Sequence, residues 1–250
     1  MDFPFVHSIV NRNCLLVLGL ALASLLVSCA STKIHFVDEE GLGGLKDPSH
    51  VVLAGVLGTG SAIGIHPEER ADIACDLERR LKKKRRHLDV STPILFESIV
   101  GCPRLRSGGD RSSISDFLTP AQRARLRESR FDYVMILVLS ANETWCDVDE
   151  SESTEDENEY DQHGNVIACR TTTTYTTTSR AHRRAAGQFY LFDAGTGNQV
   201  WKAESRHSES NNRSSSSTFS HPLPPPHPEP PGLVDVVENM NQSIARKFPK

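Results

Sequence analysis

Aromatic residues are scarce in this chain: Phe, Trp and Tyr supply 6% of its 250 residues, against 24% charged and 38% hydrophobic. That shortage excludes a large aromatic core and leaves a modest one, with much of the chain outside it. The net charge is only -4, and it stays at -4 without residues 1–28, which hold one Asp and one Arg. Nothing in that balance points to a nucleic-acid partner. None of the six cysteines stands in a close pair such as C-x-x-C, so a zinc site has no framework. The ten histidines are scattered, and no Ser/His/Asp or Cys/His grouping stands together. The reading is of a noncatalytic protein with no metal and no cofactor.

What is present begins at the N-terminus. Cys14 to Val27 reads CLLVLGLALASLLV, an uncharged run preceded by Arg12 and followed by the small residue Ser28 and then Cys29. A basic side, an apolar stretch and a small-residue cut site make a signal peptide. At about 1.5 Å per residue the run is too short to span a roughly 30 Å hydrocarbon core as a permanent helix. Leu26, Val27, Ser28 and Cys29 resemble the lipobox of bacterial prolipoproteins, in which cleavage precedes the Cys and acyl chains are added to it. The resemblance implies a membrane anchor on Cys29. Ala30, where Asp would retain such proteins in the inner membrane, implies an outer-membrane lipoprotein facing the periplasm. Several acyl chains at about 0.8 kcal/mol per buried CH₂ would hold it permanently.

Removing residues 1–28 and acylating Cys29 leaves Cys75, Cys102, Cys146 and Cys169, an even number in an oxidising compartment. Three pairings are possible. Cys146 and Cys169 flank a polar insertion and read as facing ends of a hairpin, which leaves Cys75 to pair with Cys102.

Along the mature chain, residues 29–49 read as a flexible tether and 50–207 as an α/β domain carrying an acidic hairpin insertion at 146–169. Residues 208–231 are Ser- and Pro-rich low-complexity sequence that cannot pack and reads as polyproline or disordered, and 232–250 form a helix returning to the core. Within the domain, His50 to Leu57 is a buried strand, Pro67 starts a helix with Ala71, Ala74, Leu77 and Leu81 on one stripe, and Leu88 to Phe96 is a second strand containing Pro93. Thr119 caps a short helix, and Phe131 to Leu139 is the central strand. Thr171 to Thr178 and a hairpin of Gln188–Phe192 with Gln199–Ser205 follow. The expectation is a mixed sheet of about five strands with two to three helices, in βαβαβββα order.

That order, together with Leu191 to Trp201 (LFDAGTGNQVW), resembles a group of envelope lipoproteins: the curli secretion-channel lipoprotein, the penicillin-binding-protein activator lipoproteins and the N-terminal domain of the Tol-Pal propeller protein. The resemblance covers residues 50 to 206. It implies a noncatalytic role in envelope assembly, through an envelope protein partner or an oligomer.

Three further features invite function. Gly58-Thr-Gly-Ser-Ala-Ile-Gly64 follows a strand and precedes a helix, where a phosphate could meet a helix N-terminus, and supports the alternative of a nucleotide-binding protein or enzyme. The dinucleotide fingerprint fails at Ile63, and no P-loop Lys follows. A calcium loop starting at Asp147 fails at Glu152, where Gly is needed, and at Asn158, where Glu is needed, so the nine carboxylates of residues 147–161 read as a solvated, self-repelling segment. The basic run Arg79, Arg80, Lys82, Lys83, Lys84, Arg85 and Arg86 ends the first helix, where cations complement the helix dipole, and offers contact with an anionic surface. A pore is disfavoured, because Thr171 to Thr178 and its acidic partner lack the apolar alternation of a lipid-facing strand.

Overall fold

The computed structural model describes residues 31–42, 49–106 and 111–249. The signal and lipobox residues Leu26, Val27, Ser28 and Cys29 lie outside the described residues. Strands β1 (Ser31–Val37), β2 (Ser49–Gly58), β3 (Leu88–Ser91), β4 (Tyr133–Tyr160), β5 (Val166–Asp193) and β6 (Gln199–Ser217) form one sheet in the order β1-β6-β5-β4-β2-β3. The helices are α1 (Glu39–Leu42), α2 (Pro67–Lys84), α3 (Pro93–Ile99), α4 (Pro120–Glu128) and α5 (Leu233–Lys247). The α/β class and mixed sheet match the expectation. The sixth strand, β1, comes out of the expected tether, pairing antiparallel with β6.

Helices cover both faces of the sheet, which explains why Tyr133 to Leu139 is buried at every position instead of alternating. On one face, α2 and α5 pack Ile73, Leu77, Leu81, Val237, Met240 and Ile244 onto Val51, Leu53, Met135, Leu137, Phe189 and Trp201. On the other, Phe96 of α3, Leu126 of α4 and the intervening Phe117 cover Val52, Val134, Ile136, Tyr190 and Phe192. Few aromatics suffice because they are concentrated here: Trp201 and Phe248 meet at 5.4 Å, and Phe117 sits 5.6 and 5.5 Å from Tyr190 and Phe192.

Local sequence sets the helix starts. Pro67 and Pro120 occupy first-turn positions behind capping boxes, His66 with Glu69 and Thr119 with Gln122. The expected strand from Leu88 to Phe96 is cut short for the same reason. Pro93 has no N–H for a ladder, Thr92 accepts from Leu95 N at 3.4 Å, and the chain turns into α3 after Ser91.

Beyond the core the sheet continues as a blade. β4 and β5 run 28 residues each, and past Leu139 β4 pairs with β5 alone. Residues 141–160 at about 3.3 Å each make the blade roughly 65 Å long. β6 follows β5 as far as the pair Tyr175–Ser217, so the last part is a two-stranded tip. The acidic insertion is therefore the outer part of β4 and β5, continuous with the core sheet.

The Pro-rich segment packs as well, contrary to the expectation that it cannot. Residues 219–232 run back along the blade as a strap. Pro222, Pro225 and Pro228 are half-buried and Pro231 buried, a repeat of three that is the period of a polyproline II helix. Having few N–H groups to satisfy, the strap accepts instead: Thr177 donates to Pro222 O (2.9 Å), Ser179 to Pro225 O (2.6 Å) and Asn211 to Glu229 O (2.8 Å). It buries Thr177, Ser179 and Ala181.

Candidate interaction surface

The two faces of the blade differ because side chains alternate along each strand. One face lies under the strap. The other carries a ladder of cross-strand pairs: Glu143 with Arg184 (2.5 Å), Asp147 with His182 (3.1 Å) and Asp149 with Arg180 (2.9 Å). Trp145 stacks flat on His182, with ring centroids 4.9 Å apart and planes 4° from parallel, and stays partly exposed. Further out, Thr178 meets Ser214 at 2.8 Å and Thr176 meets Ser216 at 3.0 Å. Such pairs contribute roughly 0.2–1 kcal/mol each, so the blade is held by many small terms.

Carboxylates crowd the β4 edge, where Glu150, Glu152, Glu155, Asp156, Glu157 and Glu159 are all exposed. Thr171 donates to Asp156 at 2.6 Å. Charged edge strands resist uncontrolled pairing with other sheets. The hairpin closes at Asp161-Gln-His-Gly-Asn165, where Gly164 has φ 83° and the Asp161 carboxylate accepts from His163 N, Asn165 N and Asn165 Nδ2 at 2.8–3.0 Å. The Asn165 backbone and side-chain bonds hold the Asp161 carboxyl below its ordinary value. A depressed folded-state value means the turn gains from this carboxylate above the unfolded aspartate range, about 3.9, and loses the gain as pH falls through the folded value. A carbon-13 titration should place the Asp161 midpoint below that reference, and Asn165→Ala should raise it; a midpoint at the reference would contradict the turn geometry.

The cysteine pairings fail. All four described cysteines are free and exposed. Cys146 faces Ala181 across the hairpin and Cys169 faces Asn158, so the two lie twelve residues apart along the ladder, far beyond the roughly 7 Å Cα limit for a disulfide. Cys75 sits on α2 and Cys102 after α3, without a bond between them.

Much of the basic run is committed to the fold. Arg79 and Arg80 pair with the buried Asp76 (2.5 and 2.7 Å), Lys82 with Glu78 (2.6 Å), and Arg85 donates to the last carbonyls of the α5 end, Phe248 O at 2.5 Å, Pro249 O at 3.1 Å and Arg246 O at 3.3 Å. The hydrogen bond and charge of Asp76 raise the Arg79 value further. That leaves Lys83, Lys84 and Arg86 facing solvent at the end of the core away from the blade.

Two glycines of the 58–64 loop are explained by close packing, Gly58 against the loop's own turn and Gly60 against β4. A Cβ on Gly58 would lie 1.9 Å from Ala62 O, and one on Gly60 2.7 Å from Ser140 O. Thr59 N donates to Leu139 O at 2.8 Å, and Asn142 N to Ser61 Oγ at 3.1 Å. The N-terminus of α2 behind the loop is occupied by Glu69, which accepts from His66 N at 3.1 Å. The Asp193–Gly197 turn is likewise structural: Asp193 Oδ1 accepts from Thr196 N at 2.6 Å, and Gly197 N donates to Asp193 O at 2.9 Å. Among the described residues no group of three His, Cys, Asp or Glu side chains could hold a metal ion.

Sequence reading placed a hairpin at 146–169 and a strand at Thr171–Thr178 but did not join them to the core strands as one blade, although a signal for it existed: two polar runs of similar length flank a single turn at 161–165. No known protein family matches the chain, and no curated protein does. Among solved structures it is similar to a PelC dodecamer from Paraburkholderia phytofirmans at 10% identity, with a TM-score of 0.39 over 86% of this chain and 94% of that one. A point variant of the same dodecamer gives 10% identity and a TM-score of 0.36 over 86% and 93%.

Proposed function

We propose that this protein is a lipid-anchored cell-envelope lipoprotein, held in the outer membrane through acyl chains on Cys29 and facing the periplasm, where it acts without catalysis as a binding or assembly module. The observation that carries this reading is the blade: three strands reach far past the core, bury nothing of it, and end in a two-stranded tip with free polar edges. A projection of that kind serves contact with another protein. The resemblance to envelope-assembly lipoproteins supports the same role.

Cys29 lies two residues before β1, and β1 begins on the blade side of the core, Ser31 facing Arg206 while Val37 faces Trp201. An anchor there attaches the chain on the blade side. Lys83, Lys84 and Arg86 then face away from the anchoring bilayer, so an anionic wall polymer or partner is the surface within their reach.

Envelope crosslinking of three versions in a two-membrane bacterium tests both halves of the reading. Wild type should take up a palmitate analogue and form discrete adducts, whereas Cys29→Ala should take up none; label retained in that variant refutes the anchor. In the third version Asn-Gly replaces residues 154–173 and joins the paired Ser153 and Thr174. It should keep its label and lose its adducts. An unchanged adduct pattern refutes the outer part of the blade, beyond the Ser153–Thr174 pair, as the contact surface.

A further inference from the structure

β3 accompanies β2 only from Ser49 to Val52, and β2 runs on to Gly58 with β4 on its other side. Along Leu53 to Leu57 the backbone groups on the β3 side therefore have no ladder partner. Among the described residues no backbone or side-chain group bonds to them from outside the sheet. Ala54 to Leu57 form the floor of a cavity of about 380 Å³ between α2 and α3. One wall is Pro67, Ala71 and Ala74 of α2, small residues that leave room; the other is Pro93 and Ile94 of α3, with Ile94 78% exposed. Gly55, at φ 124° beside the bulge in β2, adds no side chain, and nothing lies within 4 Å of where its Cβ would be.

Two charges stand at the mouth. Arg70 gives hydrogen bonds to Ile65 O (3.1 Å) and Ile63 O (3.3 Å) and has no carboxylate partner among the described residues. Glu97, exposed on α3, has no partner there either. The floor asks for alternating N–H and C=O groups, the walls for apolar side chains, and the mouth for one charge of each sign. Those demands are met together by polypeptide in extended conformation.

We propose that the groove between α2 and α3 binds an extended segment of a partner protein as an added strand beside Leu53–Leu57, with a basic residue of that segment at Glu97 and an acidic one at Arg70. This site is separate from the blade, and its test does not depend on acylation.

The test uses the full chain without its leader and two probe peptides, acetyl-Lys-Val-Thr-Val-Thr-Val-Glu-amide and the same residues in reverse order. Hydrogen exchange should show the amides of residues 53–58 slowed by one of them at millimolar concentration. The same peptide N-methylated at alternate residues keeps its side chains but cannot join a ladder, and should give no protection. Glu97→Lys should weaken binding about fivefold, as expected of a rim charge, with recovery when the peptide's Lys becomes Glu. Ala71→Trp, at an exposed position, should block the groove while circular dichroism stays unchanged.

Protection by neither peptide overturns the proposal. Binding that survives N-methylation also overturns it, since the groove would then hold apolar side chains alone. So does protection that rises with protein concentration without peptide, which would make a second copy of this chain the occupant.

Discussion

Asp76→Ala will cost about 3–5 kcal/mol of folding stability, the usual loss when one member of a buried ion pair is removed. Asp76 is 4% exposed and accepts from Arg79 at 2.5 Å, from Arg80 Nε with both oxygens at 2.8 and 2.7 Å, and from Asn241 Nδ2 at 3.1 Å. Arg80 also reaches Glu238 at 3.0 Å, and Asn241 donates to Ile73 O at 3.0 Å, so this one carboxylate fastens α2 to α5. Without it, Arg80 and Asn241 are left inside with unmet hydrogen bonds. Arg79 is largely exposed and contributes little. Urea denaturation should show the midpoint falling with an unchanged slope. In a double-mutant cycle with Asn241→Ala the two losses should be strongly non-additive. A loss under about 1 kcal/mol would reduce the network to an ordinary surface pair.

Gly58→Ala should come second, at about 2–4 kcal/mol, through overpacking against backbone that cannot move aside cheaply. The new methyl would meet Ala62 O at 1.9 Å and its carbonyl carbon at 2.8 Å. Relief requires the 3₁₀ turn at Gly60–Ala62 to shift, and with it the bond from Thr59 N to Leu139 O, where the core gives way to the blade. Gly64→Ala in the same loop is the control: nothing lies within 4 Å of its Cβ position, so its thermal midpoint should barely change. Chain entropy by itself favours alanine at both positions, so equal losses would mean that the contact with Ala62 does not set the cost.

These two residues illustrate how differently sequence and structure speak. The 58–64 loop drew attention because glycines between a strand and a helix are where phosphates bind; in the fold Gly58 lets the loop fold on its own turn and Gly60 lets it close on β4. Arg79, Arg80, Lys82 and Arg85 read as a charged face; in three dimensions Arg80 and Arg85 fasten α2 to α5 and its end, while Arg79 and Lys82 pair within α2. Short-range chemistry was readable: the starts at Pro67 and Pro120, the Thr119 cap, the buried run of β4, the closing helix and Ala74, Leu77 and Leu81 of α2 stand where local pattern places them, whereas Ala71 is exposed and Ile73 joins the core instead. The reason is that caps and periodicity act within a few residues.

Long-range pairing was not readable. The disulfide expectation assumed that cysteines flanking an insertion face each other, but register, set by the turn at 161–165, moves Cys169 opposite Asn158. The β-branched run Thr171 to Thr178 reads as strand, but polar runs carry no apolar alternation, so nothing in them shows that they continue β4 and β5 out of the core. The Pro-rich segment reads as disordered on composition, and packs only because Thr177, Ser179 and Asn211 present donors to its carbonyls. By itself the sequence determined the class of fold, the helix starts and the central strand, since these follow from local sterics and burial. The blade, the strap, the β1 edge and the groove beside β2 were decided by tertiary structure, because each depends on a partner strand or surface that is far away in the chain.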